Sequence, residues 1–250
     1  MPDGPHAPCP IHRHAQARPD ALALWSPERR WTYAELDAAI AATCGRLQTA
    51  EVPSESRVAI RLRRGPDFVI LLWALWRTGH VAMPLSTRQP AAEARRTAQQ
   101  MGAPCLVTRD VALVGTEPGA LHTEPPDRFV KREGKGEPRP SPRPIHRRAT
   151  LVFTSGSTGT PKAVLHSWAN HLYSAKGSNA NLPLCSGDRW LLSLPLYHVG
   201  GLAILVRCAL AGAAVALPDP DASLSGSLEA AGATHASLVA TQLRRLLEAR

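Results

Sequence analysis

A mostly parallel α/β fold is the architecture this sequence predicts, and three observations predict it. Short apolar or β-branched runs at Arg57–Leu62, Val81–Leu85, Cys105–Thr108 and Thr150–Phe153 alternate with segments of helical period. Glycine and proline fall between these segments, where helices and strands stop. Finally, 250 residues with 44% hydrophobic content can bury a sizeable core. The longest apolar run, Phe68–Trp76, is nine residues, far short of the roughly 20 that cross a bilayer.

In order, residues 6–18 read as a short helix carrying His6, His12 and His14. Cys9 lies in the same stretch but no carboxylate does, so a solvated basic lead-in is the reading and no metal site is expected. Ala21–Trp25 and Arg30–Tyr33 read as strands around Ser26-Pro27-Glu28-Arg29. Thr32 then caps a helix over Tyr33–Gln48, with Glu35 completing a capping box. Leu36, Ala39, Ile40, Cys44 and Leu47 recur at helical spacing and should face the core. Pro66–Thr78 reads as a largely buried helix stopped by Gly79, with Trp73 and Trp76 three apart in its packing face. Ala91–Met101 follows as a polar helix.

Glu117–Arg148 breaks the alternation, being rich in Pro, Gly and charge, and reads as a long solvated connection. The chain then divides into a first α/β subdomain over 1–123, a linker over 124–148 and a second subdomain over 149–250. Glu124–Arg148 holds eight Lys/Arg against four Asp/Glu, so it carries +4 of the formal +9. Phe129 is its only aromatic and no recognition motif accompanies it, so no nucleic-acid partner is expected. Five cysteines, odd in number and without Cys-x-x-Cys, argue against disulfides and zinc and for reduced thiols in the cytoplasm. Met1–Asp20 has no apolar core, so it does not read as a signal peptide. Self-association is left open.

The strand Thr150–Phe153 empties into Thr154-Ser155-Gly156-Ser157-Thr158-Gly159-Thr160-Pro161-Lys162. Glycines let backbone approach an anion, hydroxyls and N–H groups donate to it, and the lysine supplies charge, so this run reads as a phosphate loop. It is not a Walker A loop, because Pro161 precedes the lysine and Ala163 follows it. A helix over Ala163–Asn179 is predicted after the loop, with His166–Gly177 helical throughout. Asp188–Ser193 then reads as a strand and Gly201–Ala211 as an apolar helix. Ala213–Leu217, Ala222–Ala231, His235–Val239 and Thr241–Ala249 read as strand, helix, strand and helix.

Thr154–Lys162 resembles the phosphate-binding signature of the adenylate-forming superfamily, which includes acyl-CoA synthetases, luciferases and peptide-synthetase adenylation domains. Trp190–Gly201, with its Leu196-Tyr197-His198 core, resembles the next motif of that superfamily, and Thr32-Tyr33-Ala34-Glu35-Leu36 resembles its opening. Thr234–Leu247 is similar to a segment of the 2-succinylbenzoate–CoA ligases, a menaquinone-pathway branch. The resemblance spans nearly the whole chain and implies the N-terminal large domain of such an enzyme, incomplete at its C-terminus. It implies an acid–thiol ligase that uses ATP, Mg²⁺ and CoA, the last as co-substrate, to turn 2-succinylbenzoate into an acyl-adenylate and then a thioester. It implies that Ser155, Gly156, Ser157, Thr158, Gly159 and Lys162 wrap the β- and γ-phosphates while Thr154 positions the strand end.

The resemblance further makes His198 the catalytic candidate, beside the substrate carboxylate. The superfamily more often shows Phe-His-Val-Ser-Gly; here Tyr197 keeps the ring and Gly200 loses the hydroxyl. A cation is needed for the second carboxylate of 2-succinylbenzoate. Arg207, a charge among apolar helix neighbours, is the candidate, with snorkelling to the surface as its structural alternative. Thr241 borders the acyl pocket by resemblance and is equally an ordinary N-cap. The Mg²⁺-binding acid, the ribose-binding Asp, the hinge and the small domain with the catalytic Lys are expected beyond Arg250, so these 250 residues alone should not complete the reaction. A ligase for another aryl or acyl acid and a non-catalytic nucleotide-binding module are the alternatives.

Overall fold

The computed structural model describes residues 5–50, 52–109, 115–116, 122–132, 142–154 and 162–248. The strands are β1 (His6–Ala7), β2 (Leu22–Trp25), β3 (Arg30–Thr32), β4 (Arg57–Arg61), β5 (Val81–Pro84), β6 (Cys105–Thr108) and β7 (Gly115–Thr116). They continue with β8 (His122–Glu124), β9 (Arg143–Pro144), β10 (Arg148–Thr154), β11 (Lys162–Ser167), β12 (Arg189–Leu191), β13 (Ala214–Ala216) and β14 (His235–Ala236). The helices are α1 (Pro10–Ala17), α2 (Tyr33–Thr49), α3 (Pro66–Thr78), α4 (Ala91–Gln100), α5 (Trp168–Asn181), α6 (Val199–Ala211), α7 (Leu224–Ala231) and α8 (Ala240–Glu248).

Two compact units form, and they interleave in sequence. The first comprises Met1–Cys9 and Asp37–His171, the second Pro10–Leu36 and Leu172–Arg250. A consecutive division at 123/124 and 148/149 is what the composition suggests. The units differ from it because parallel sheets draw their neighbours from separated stretches of chain.

In the first unit a seven-stranded sheet runs β11-β10-β5-β4-β6-β8-β7. Its centre, β10-β5-β4-β6-β8, is parallel, and the strands at its two edges pair antiparallel. Parallel strands with both faces covered read as continuous apolar runs. Val58-Ala59-Ile60 and Val81-Ala82-Met83 are such runs, each residue no more than 4% exposed. Ala94 and Ala98 of α4 pack with Ala59, Met83 and Leu106 in one cluster. In α3 every position from Asp67 to Leu75 is buried. Each fully buried Leu or Ile there contributes about 1.5–3 kcal/mol relative to exposure. Gly79 ends α3 at φ 85°, a left-handed conformation that glycine adopts without strain. Trp73 and Trp76 meet edge-to-face with centroids 5.0 Å apart, and both contact Trp168, so the pair is core packing.

The second unit holds a five-stranded sheet, β14-β12-β13-β2-β3, parallel except for the β2–β3 hairpin. Tyr33 donates its hydroxyl proton to the Ala213 carbonyl at 2.9 Å, and its ring lies 5.0 Å from that of His14. The capping box on α2 forms as expected. The Thr32 N–H donates to Glu35 Oε2 at 2.8 Å, and the Glu35 N–H to Thr32 Oγ1 at 3.2 Å. Leu36, Ala39, Ile40, Cys44 and Leu47 are all at most 4% exposed.

Three local readings are corrected. The segment after the phosphate loop is not helical from Ala163: residues 162–167 form β11, paired along β10, and the helix begins at Trp168. Ala163-Val164-Leu165 is a short apolar run that fits either state, and the neighbouring strand decides it. The 117–148 stretch is more than a solvated connection where it is described. β8 extends the parallel sheet, a 3-10 turn spans Pro126–Arg128, and Phe129, Val130 and Ile145 are buried. At the start, His6 lies in β1 against β9, and only Pro10–Ala17 is helical.

Candidate functional site

The residues singled out from the sequence fall in two places. The first is the β10–β11 hairpin. Six paired positions run from Arg148↔Ser167 to Thr154↔Lys162, with a register shift between Arg148 and Thr150. Thr154 and Lys162 are therefore opposite each other at the loop end, and Thr154 Oγ1 donates to the Lys162 carbonyl at 3.4 Å. Both residues are exposed, and Lys162 has no carboxylate partner among the described residues. Ser155, Gly156, Ser157, Thr158 and Gly159 lie outside the described residues. What is described is the frame: a strand pair that presents a hydroxyl and a free ammonium at one mouth.

The end of the hairpin away from the loop is anchored by a buried polar cluster that the sequence reading missed. Thr150 is fully buried, His171 is 5% exposed, and His171 Nε2 lies 2.9 Å from Thr150 Oγ1. The Trp76 indole N–H donates to the Ala149 carbonyl at 3.0 Å and to Thr150 Oγ1 at 3.2 Å. Burial, with His166 nearby as a lesser cause, pushes the His171 imidazole down to about 4. It is neutral near pH 7.

The second place is the carboxyl edge of the five-stranded sheet. β12 and β14 are parallel neighbours, Trp190↔His235 and Leu191↔Ala236, so the chain leaving each starts from the same edge. The first of these segments carries His198 and the second Thr241. Ser193 Oγ donates to the Ser237 carbonyl and ties them together. His198 is exposed, extended (φ −113°, ψ 147°), and occupies the N-cap of α6 without a side-chain cap bond. Its ring sits 4.5 Å from that of Tyr197. Gly201 makes this turn feasible: a Cβ there would lie 2.2 Å from the Pro195 carbonyl oxygen, so only glycine lets α6 start so close. The adjacent Gly200-Gly201 pair was the sequence signal for this role.

Arg207 lies nine residues beyond His198. That is about 13 Å along the helix and about half a turn around it, so α6 does not bring the two together. The Arg207 guanidinium lies 4.1 Å over the Trp190 ring. Its Nε donates to Asn179 Oδ1 at 2.9 Å and its Nη2 to the Leu182 carbonyl at 3.1 Å. No carboxylate pairs with it among the described residues, and partial burial depresses its pKa. Thr241 is not the N-cap of α8. It is an exposed second residue of that helix, and Gln242 caps by accepting from the Val239 N–H at 3.0 Å.

The family model described as AMP-binding enzyme matches residues 11–250, and the chain belongs to that family. Among curated proteins it is similar to the 2-succinylbenzoate–CoA ligase of Enterococcus faecalis, 28% identical over 95% of this chain and 49% of that protein. A Bacillus cereus protein of the same name is 31% identical over the same shares. The chain thus spans about half the length of the curated relatives it matches. Among solved structures, o-succinylbenzoate coenzyme A synthetase from Bacillus subtilis with ATP and magnesium superposes with TM-score 0.87 at 29% identity. The match covers 98% of this chain and 52% of that one. The same enzyme in complex with its acyl-adenylate intermediate matches with TM-score 0.85 over 98% of this chain and 65% of that one.

Proposed function

We propose that this chain supplies the phosphate loop and part of the acyl site of an AMP-forming acid–thiol ligase acting on 2-succinylbenzoate in menaquinone biosynthesis. The observation that carries the reading is the Thr154↔Lys162 mouth of the β10–β11 hairpin, on a chain similar along its length to synthetases solved with ATP and with an acyl-adenylate. Adenylation brings a carboxylate oxygen to the α-phosphorus of ATP and expels pyrophosphate. Two anions must meet, so the protein has to offset charge and hold the leaving group. Lys162, exposed and without a carboxylate partner among the described residues, fits that task, with Thr154 and residues 155–159 donating to the β- and γ-phosphates.

Magnesium would accompany the phosphates. The described residues include no group of three His, Cys, Asp or Glu, so they offer the ion no cage of their own. His198, on the exposed turn before α6, donates to the acid's reacting carboxylate. Arg207 supplies positive charge for the distal carboxylate, and Thr241 borders the acyl pocket. CoA is the acceptor in the second half-reaction. No described helix is long and apolar enough to cross a membrane, and we place the reaction in the cytoplasm.

Acid-dependent pyrophosphate release tests the reading, with the 250-residue chain compared with a version extended to the relatives' length. The expected outcome is ATP binding by the 250 residues alone, without sustained turnover, and turnover by the extended protein that is highest with 2-succinylbenzoate. Sustained turnover by the short chain would break the half-enzyme reading. Preference for another aryl or acyl acid would move the substrate assignment. Loss of the distal-carboxylate preference in Arg207→Lys, with the melting temperature unchanged, would separate a substrate role from the structural contacts to Asn179 and Trp190.

A further inference from the structure

A cavity of about 340 Å³ lies within the first unit, at the small end of the roughly 300–1,000 Å³ that ligand pockets span. It is remote from the phosphate-loop hairpin, because β5, β4 and β6 stand between β10 and β8, the strand that lines it. β8 pairs in parallel with β6, His122 beside Cys105 and Glu124 beside Val107, so the His122 and Glu124 side chains leave the same face of the sheet. Thr49, the last residue of α2, lines a second side, which puts the cavity at the negative end of that helix. The third side is the 3-10 turn Pro126–Arg128. Arg46 ties this turn to α2, its Nη1 donating to the Asp127 and Arg128 carbonyls at 2.7 and 3.1 Å. Buried Phe129 is the floor, and Val52 and Pro104 add apolar wall.

Three polar side chains, those of His122, Glu124 and Arg128, thus converge on one space. Among the described residues none of them makes a hydrogen bond or an ion pair, although half-buried Glu124 and exposed Arg128 carry opposite charges. A carboxylate beside a helix C-terminus favours a cation, and a guanidinium fork favours a carboxylate. Opposite charges held apart over an apolar floor match a molecule that carries both. We propose that this cavity binds a free α-amino acid with a small aliphatic side chain. The ammonium group meets Glu124 and the end of α2, the carboxylate meets Arg128, and the side chain lies against Phe129, Val52 and Pro104. This site is independent of the nucleotide chemistry proposed above.

The test is calorimetric titration of the intact chain with L-leucine, isopentylamine and isocaproate. These share one side chain and carry both charges, the ammonium alone and the carboxylate alone. L-Leucine should bind about tenfold more tightly than either analogue, since each lacks one charge-assisted contact. Glu124→Gln should weaken leucine about tenfold and erase its advantage over isocaproate, and Arg128→Gln should do the same with respect to isopentylamine, both with unchanged melting temperature. A carboxylate bound at the acyl site proposed above is untouched by either substitution, so the two sites are told apart. If a variant does not fold, the three ligands on the wild-type chain decide the matter. No heat at millimolar leucine, equal affinity for all three ligands, or leucine affinity unchanged in both variants overturns the proposal.

Discussion

The two arms of the phosphate-loop hairpin are paired along most of their length yet live in different environments. β10 lies between β5 and β11, and its Thr150, Leu151 and Val152 are at most 4% exposed. β11 is the edge strand, and its Val164 and Leu165, on opposite faces, are 39% and 42% exposed. Similar residue types therefore carry different energetic weight. What fixes the strand pair is the inner arm with its buried anchor at Thr150. The outer arm is held chiefly through the ladder.

That contrast can be broken from several directions. Leu151→Ala should cost about 2–5 kcal/mol in urea unfolding, whereas Leu165→Ala should cost well under about 1 kcal/mol. Equal losses would erase the distinction between the arms. Acid should act through the inner arm. The folded value of His171, about 4, is below the ordinary 6.5, so between those values the unfolded chain takes up a proton that the folded chain refuses. Stability contributed by neutral His171 is therefore full above pH 6.5 and falls as pH drops toward 4, by about 3 kcal/mol. A melting temperature flat over that window would show that His171 titrates without unfolding the anchor. Thr150→Val keeps the shape but strips the hydroxyl from Trp76 and His171, and should cost about 1–3 kcal/mol. The smallest effect is expected at the edge. Leu165→Thr should change unfolding free energy by no more than about 0.5 kcal/mol, while reducing light scattering at high protein concentration.

The same contrast explains what was legible in the sequence. α2 and α3 were readable because their signals are local: a capping box at Thr32 and Glu35, a full buried run, and a stop at Gly79. β10 was readable because a fully buried parallel strand is a continuous apolar run. β11 was not, because Ala163–His166 suits a helix as well as a strand, and only the backbone groups of β10 settle the choice. The buried Phe129 and Val130 were masked by the charge around them. The motif from Thr154 to Lys162 pointed to phosphate at once, but the Thr150–His171–Trp76 anchor joins residues 74 and 21 positions apart in sequence and left no pattern. Arg207 stands out in the sequence as a charge among apolar helix neighbours. That Asn179, the Leu182 carbonyl and the Trp190 ring provide its partners depends on the packing of α5 against α6.

The pairing of Thr154 with Lys162 also sets which insertions and deletions this chain can absorb. Residues 155–161 close between two ladder partners, so a residue added among them alters loop-closure entropy only slightly, since doubling a loop costs about 0.6 kcal/mol. A residue added between Ala163 and Ser167 is another matter. It slips the register by one and turns the Lys162 side chain to the opposite face of the sheet. Length changes should therefore be far better tolerated within the loop than in the strand behind it.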